Sequence, residues 1–330
     1  MEAYATIQTQ ILYFEVRIFE KHYMLNKFTI HDLPFKSEGL TCAGKLYLPD
    51  HRSKDLACVV LVNGFTGTSD WILPDFAKRF AEAGFAVYIF DYRHFGLSDG
   101  EPRYIVNLKK QRIDLSNAIS MLRGQDAIDA KKIILWGTSL GGSHVVHIAS
   151  QDAEIAAVIG NVPGIDVIKG SNTKARAKAA NASNWDIVTA SVKLFIAVIT
   201  DFGRSLFNLS PKYLKVYGKA GEAIFTDPAQ AERFKRVETQ SPLWQNKVAA
   251  RSLFQLPVYK EGTIERIKVP IFVAIATKDV EVNAEYLKDK FSKAANAEFK
   301  EYPCDHFSLY HDKGFEETVS DQVDFLKRHF

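Results

Sequence analysis

The chain has 330 residues, of which 47% are hydrophobic, 12% aromatic and 25% charged, enough for one large globular domain with an insertion or for two small domains. Its 19 Gly and 11 Pro exclude collagen-like and broadly disordered classes, and 42 Lys plus Arg against 39 Asp plus Glu leave +3, a balance that calls for neither nucleic acid nor an anionic membrane. Three cysteines, Cys42, Cys58 and Cys304, are odd in number and lack C-x-x-C spacing, which argues against a disulfide framework or a structural zinc and makes the cytoplasm the expected location.

Residues 1–26 read as an amino-terminal extension. The segment Ile11 to Phe19 is broken by Glu15 and Arg17 and no cleavage site follows, so it is not a secretory signal. An added helix fits this stretch, and so does Met24 as the natural start, since it stands directly before the first strand. Residues 27–163 form the first part of a core. Phe28 to Ile30 and Lys45 to Leu48 alternate with period two across a turn-rich stretch and predict an antiparallel opening pair. Ala57 to Val62, Ala86 to Phe90, Lys132 to Trp136 and Ile155 to Ile159 are short, apolar, β-branched runs. They predict parallel strands buried on both faces, joined by helices over Leu73 to Ala83, Leu108 to Leu122 and His144 to Ala149.

Residues 164–262, rich in Phe, Leu and Tyr, read as a mostly helical cap over the carboxyl edge of the sheet. Within it Leu194 to Ile199, bracketed by Lys193 and Asp201, is too short to cross a bilayer and reads as a buried helix segment. Residues 263–330 return to the core with a strand over Pro270 to Ile275, a helix over Ala284 to Ala294, a strand over Ala297 to Tyr302 and a helix over Phe315 to Phe330. The expected fold is α/β: one mostly parallel sheet, helices on both faces, interrupted once by the cap.

Gly137-Thr138-Ser139-Leu140-Gly141 follows a predicted strand and opens a helix. Such a G-x-S-x-G turn holds the serine hydroxyl above the sheet edge in a strained conformation, whereas the pattern alone also fits a glycine-rich packing turn. A serine hydroxyl needs a base, and the base an orienting acid. Asp279 follows the strand Pro270 to Ile275 and His306 follows the last strand, so the three occur in the order Ser, Asp, His. Two amides would hold the oxyanion: that of Leu140, after the nucleophile, and that of Phe65 in the loop Asn63 to Thr68, which also fits an inert turn. Rivals weigh less. His144 and His147 point along the helix and read as packing or surface groups, and His94 reads as a supporting or surface residue. Asp166 is the runner-up acid, and Glu281 and Asp305 read as solvated. Lys169, Lys174, Arg176 and Lys178 read as a solvated cap helix. No P-loop, dinucleotide fingerprint or H-E-x-x-H occurs, so no metal or cofactor is implied.

Asp91-Tyr92-Arg93-His94-Phe95-Gly96-Leu97-Ser98-Asp99-Gly100 is similar to the D-Y-R-G-x-G-x-S-x-G loop of the α/β-hydrolase superfamily, with His94 in place of a glycine. Within it the chain resembles the dienelactone-hydrolase and X-Pro dipeptidyl-peptidase-like group, which includes fungal polyketide transferases, from Phe28 to the carboxyl terminus. The resemblance implies the α/β-hydrolase fold, a catalytic triad of Ser139, Asp279 and His306, and oxyanion amides at Phe65 and Leu140. Asn63 departs from the histidine that many relatives carry there.

The expected activity is cleavage of an ester or thioester through an acyl-enzyme. Acyl transfer to an alcohol or amine and a non-catalytic ligand-binding role are the alternatives. The expected partner is a small-molecule acyl substrate, with no nucleic acid and no membrane span, and a homodimer is the candidate assembly. Phe202, Phe207 and Tyr213 of the cap are the expected substrate-pocket residues.

Overall fold

Strands without polar alternation must be covered on both faces, and the burial of this sheet follows that rule. The computed structural model describes residues 28–50 and 54–330; the amino-terminal extension and Met24 lie outside them. Eight strands form the central sheet: β1 (Phe28–Asp32), β2 (Gly44–Pro49), β3 (Leu56–Val62), β4 (Ala86–Phe90), β5 (Ile128–Thr138), β6 (Ile155–Asn161), β7 (Ile271–Ala276) and β8 (Ala297–Tyr302). Their spatial order is β1-β2-β4-β3-β5-β6-β7-β8. β1 pairs antiparallel with β2, Phe28 opposite Pro49, and β2 antiparallel with β4; every other neighbour is parallel. Each residue of β3, β4 and β7 is buried.

Helices α1 (Leu73–Glu82), α2 (Leu108–Arg123) and α3 (Leu140–Ala149) link the first strands. α1 starts with Pro74 in its first turn and buries Leu73, Phe76, Ala77 and Phe80. α2 is capped by Asn107, whose side chain accepts from the Lys110 amide at 3.1 Å. Between β6 and β7 lie α4 (Thr173–Ala179), α5 (Asn184–Leu206) and α6 (Pro228–Gln240), and the chain closes with α7 (Ala284–Phe291) and α8 (Asp312–His329). The interrupting segment also holds a three-stranded sheet of Ala223–Phe225, Tyr213–Tyr217 and Val248–Ala249. Strands this short carry too few residues for a readable period.

α6 docks through an aromatic cluster. Phe234 stacks on Tyr217 at 5.3 Å and on Trp244 at 5.9 Å, and meets Phe307 edge-on at 4.7 Å. That cluster ties the cap to the loop that carries His306. Leu194 to Ile199 is a correction to the sequence reading: in α5 only Ala197 and Val198 of the run are buried, and Phe195, Ile196 and Ile199 face outward.

The D-Y-R loop clamps the layers. Asp91 accepts from the amides of Ser69 at 2.6 Å and Leu97 at 3.0 Å. A Cβ on Gly96, whose φ is +49°, would strike the Asp91 carboxylate, so only glycine fits there. Arg93 donates to buried Asp114 of α2 at 2.6 Å and to Ser37 at 2.9 Å. Removing one partner of a buried pair leaves an uncompensated charge, so Asp114→Ala is expected to destabilise the protein by about 3–5 kcal/mol. Denaturant unfolding checks this; a loss under about 1 kcal/mol would remove Arg93 from the list of structural anchors.

Candidate active site

β5 runs into a turn where Ser139 adopts φ 49° and ψ −119°, a backbone region that costs a non-glycine residue about 1–3 kcal/mol. Hydrogen bonds hold it there. Its amide donates to Asn161 O at 2.9 Å, and its carbonyl accepts from Gly142 at 3.0 Å and Gly164 at 2.7 Å. The turn is closed by backbone packed against backbone. A Cβ on Gly141 would lie 2.5 Å from Asn63 O, and one on Gly142 would lie 2.6 Å from Pro163 Cα. The neighbouring strands are locked from behind: Trp136 Nε1 donates to Gln322 at 2.8 Å, and Gln322 donates to Asn161 at 2.6 Å.

Asp279 sits in the turn after β7. One of its oxygens accepts the amides of Glu281 at 2.7 Å and Val282 at 2.9 Å, and the other lies 2.7 Å from His306 Nδ1. With the Asp279 oxygen as acceptor, Nδ1 carries the proton and Nε2 keeps its lone pair. Both side chains are buried. Burial opposes a charge on the His306 ring, but the Asp279 carboxylate beside it, aided by Glu281, outweighs that and lifts its pKa above the ordinary histidine value. Ser139 and His306 line one small recess together with Gly64, Phe65 and Tyr310. No hydrogen bond joins the Ser139 hydroxyl to the ring among the described residues; such bonds often tighten only around a substrate.

The Phe65 loop lies against the elbow, since a Cβ on Gly64 would come 3.0 Å from Ser139 Cβ. Asn63 Nδ2 closes that loop by donating to Thr68 O at 2.5 Å. Neither the Phe65 nor the Leu140 amide donates to a backbone or side-chain acceptor among the described residues, which leaves both N–H groups able to donate to an anion beside Ser139.

A cavity of about 330 Å³ opens beside Ser139, walled by Leu194, Ile224, Phe225, Leu253, Leu256 and Val282. Sequence reasoning missed these walls, which come from short cap elements with no motif. The expected pocket residues do not line it: Phe207 is 77% exposed, Phe202 packs on Phe254, and the Tyr213 hydroxyl donates to Arg103 O at 3.2 Å. Glu281 and Arg176 are also corrected. They pair at 3.1 Å in the cavity wall, with the Glu281 side chain only 10% exposed. Burial pushes the Glu281 carboxyl up, against the pull of Arg176.

The rival residues have other partners. Asp166 accepts from the amides of Ile168 and Lys169 and from the Tyr286 hydroxyl, at 2.8, 3.0 and 2.9 Å, and does not reach His306. Buried His144 bonds Gln111 at 3.1 Å and is driven to a pKa of about 3 by burial, with Arg112 adding to it. His147 falls to about 4, again mainly by burial. His94 is lowered by burial and packs against Gly100. Asp305 is not freely solvated, being paired with Arg233.

Residues 53–317 match the family described as serine aminopeptidase, S33, of the α/β-hydrolases. The chain belongs to this family. It is 31% identical to the quorum-quenching protein AidA of Acinetobacter baumannii over 90% of this chain and 94% of that one. It is 33% identical to the polyketide transferase ATR5 of Stachybotrys chlorohalonatus over 59% of each chain. The α/β-hydrolase GrgF of Penicillium has the same fold, with a TM-score of 0.73 at 24% identity, over 91% of this chain and 99% of that one. The protein is therefore an α/β-hydrolase enzyme, and esterase, thioesterase or acyltransferase activity fits that membership. A small-molecule substrate fits it as well. No helix among the described residues is long and apolar enough to cross a membrane.

In an NMR titration of this hydrolase the His306 ring is expected to protonate above the ordinary histidine value of about 6.5. Asp279→Asn and, to a smaller degree, Glu281→Gln remove the negative charge that raises it, so both should move the midpoint to lower pH. An unshifted midpoint in Asp279→Asn would contradict the pairing.

Proposed function

We propose that this hydrolase cleaves an ester or thioester of an apolar acyl group through an acyl-enzyme. Ser139 is the nucleophile, His306 the general base and acid, and Asp279 the carboxylate that fixes the ring. The observation that carries the reading is the buried Asp279–His306 pair at 2.7 Å, in a recess it shares with a strained Ser139. Ser139 Oγ bonds to the substrate carbonyl carbon while its proton moves to His306 Nε2, and the carbonyl electrons move onto oxygen, facing the Phe65 and Leu140 amides. The tetrahedral species expels the alcohol or thiol, which takes the proton from Nε2. Water then repeats the sequence on the acyl-enzyme and frees the acid and Ser139. An alcohol or amine in place of water gives acyl transfer by the same steps, the reading that the polyketide transferase ATR5 supports.

Peptide hydrolysis from a free amino terminus is disfavoured by the cavity. Its two carboxylates are already matched, Glu281 by Arg176 and Asp166 by its three donors at 3.0 Å or less. An α-ammonium group would find no unpaired partner there. We further propose the cytoplasm as its location and a homodimer as its assembly, with no nucleic-acid partner. The free Cys42, Cys58 and Cys304 support a reducing compartment.

Ser139→Ala is expected to abolish turnover of p-nitrophenyl esters with an unchanged melting curve, and Asp279→Asn to lower kcat by roughly 10⁴. Asp166→Asn should leave kcat close to wild type. Retained turnover in Ser139→Ala, or a larger loss in Asp166→Asn than in Asp279→Asn, would refute the assignment.

Each methylene buried in the cavity contributes up to about 0.8 kcal/mol, so kcat/KM should climb by up to roughly fourfold per carbon until the cavity is full. Leu256→Trp should move the optimum to shorter esters, whereas Phe202→Ala should leave it in place. A flat chain-length profile in the wild type would place acyl recognition elsewhere.

A further inference from the structure

We propose that α5 is the seam of the homodimer, pairing antiparallel with α5 of a second copy of this chain. The inference rests on the homodimeric reading above and adds the surface, orientation and register. An amphipathic helix of a monomer turns its large apolar residues inward; α5 does the reverse. Its buried residues are Ala197, Val198 and Asp201. Asp201 fastens the helix to the body, bonding Arg251 Nε at 2.9 Å and the Lys212 amide at 2.7 Å.

Seven of the outward apolar residues lie at alternating steps of three and four, and Ile187 and Ile196 broaden that face. Trp185, Val188, Val192, Phe195, Ile199, Phe202 and Leu206 are each at least 47% exposed. The 3-4 steps among these seven are the spacing of an a/d seam between helices. Together these side chains expose on the order of 700 Å², beyond the largest apolar patch of most monomers and close to the roughly 800 Å² per partner of a stable interface.

A membrane is the weaker occupant. Helices that lie on membranes carry Lys and Arg on the polar face. Here Arg204 Nε is bound to Ser210 O and Asp186 closes the capping box of Ser183. Among α5's charged residues, Lys193 alone lacks such a tie among the described residues. The positions flanking the stripe hold Asn184, Thr189, Ser191, Ile196, Val198, Gly203 and Ser205, none of them charged. With no charge there, two copies meet without repulsion.

The register follows from side-chain volume. Placed antiparallel about a two-fold axis at Phe195, the stripe sets Trp185 against Leu206, Val188 against Phe202 and Val192 against Ile199. Large meets smaller at each pair, with only Phe195 facing its own copy. A parallel pair would set Trp185 on Trp185 and Phe202 on Phe202. Leu194, on the neighbouring face of α5, walls the acyl cavity, so the partner's helix backs the wall that holds the substrate.

Sedimentation equilibrium of the full chain tests the surface. The wild type is expected to be a dimer at micromolar concentration, and Phe195→Glu/Ile199→Glu to weaken association at least about 100-fold while short-ester turnover is unchanged. A dimer that persists in the double variant overturns the seam and leaves the homodimer reading standing. A monomeric wild type overturns both, and its retention on lipid vesicles would give the face to a membrane. Cross-linking with a short bis-maleimide tests the register. Phe195→Cys should give a covalent dimer and Trp185→Cys none, because in the antiparallel pair the two positions 185 lie roughly 30 Å apart. Cross-linking at 185 overturns the antiparallel arrangement.

Discussion

Everything in this molecule that bears on chemistry depends on one strained residue. Ser139 stands at φ 49° and ψ −119°, and a backbone in that region persists only where its surroundings over-determine it. Three hydrogen bonds at 2.7–3.0 Å do so, from β6, from the first turn of α3 and from Gly164 at the start of the cap segment. The elbow is thus where sheet, helix and cap meet. The glycines around it are required by contact: at Gly141 and Gly142 a Cβ would meet backbone atoms within 2.6 Å. The close approach that needs glycine also brings the Gly64 and Phe65 loop onto Ser139, so one packing constraint sets the place of both.

The charges around the site follow a single rule, that a buried charge must be matched. Asp279 is matched by two amides and an imidazole, Glu281 by Arg176, Asp166 by two amides and a phenol. The result is a cavity wall with polar groups but no unpaired charge, and an interior left mainly to aliphatic and aromatic side chains. His306 is the exception by design. Its ring is buried and neutral on Nε2, and the field of Asp279 and Glu281 favours the cation it becomes when it takes a proton.

The central sheet was legible because strands buried on both faces read as uninterrupted apolar runs, and the observed β4 matches its run residue for residue; β8 also has the expected bounds, although only Tyr302 in it is buried. The turn at Ser139 and the positions of Asp279 and His306 stood out in the sequence because strand ends and glycines mark them, and the structure brings Asp279 and His306 within 2.7 Å. What was not legible has a common cause: apolarity in a sequence says that a residue is covered without saying by what. Phe202 and Phe207 were read as cavity walls and face outward, whereas Leu253, Leu256 and Ile224 carried no signal and form the cavity. Arg176 was one of four cations in a row, and only the fold separates it from the others by bringing Glu281 to it. The period of α5 was present in the chain, but its direction was not; that depends on where Asp201 finds Arg251.

That last contact explains how a helix can be firmly placed yet leave its apolar side uncovered. A buried ion pair contributes little net stability, because desolvation offsets most of the Coulomb attraction, but its geometry is demanding. Asp201 accepts from the Lys212 amide, the Arg251 amide and Arg251 Nε at 2.7–2.9 Å, which fixes the rotation of α5 about its own axis. With rotation set by polar contacts near its carboxyl end and by small Ala197 and Val198, the large residues have no inward direction left. The free energy of covering them is then unspent in folding, and remains available to whatever docks on that face. The same rotation presents Leu194 to the cavity beside Ser139. One polar anchor therefore sets both the cavity wall and the outer face, and the two are coupled through the orientation of a single helix.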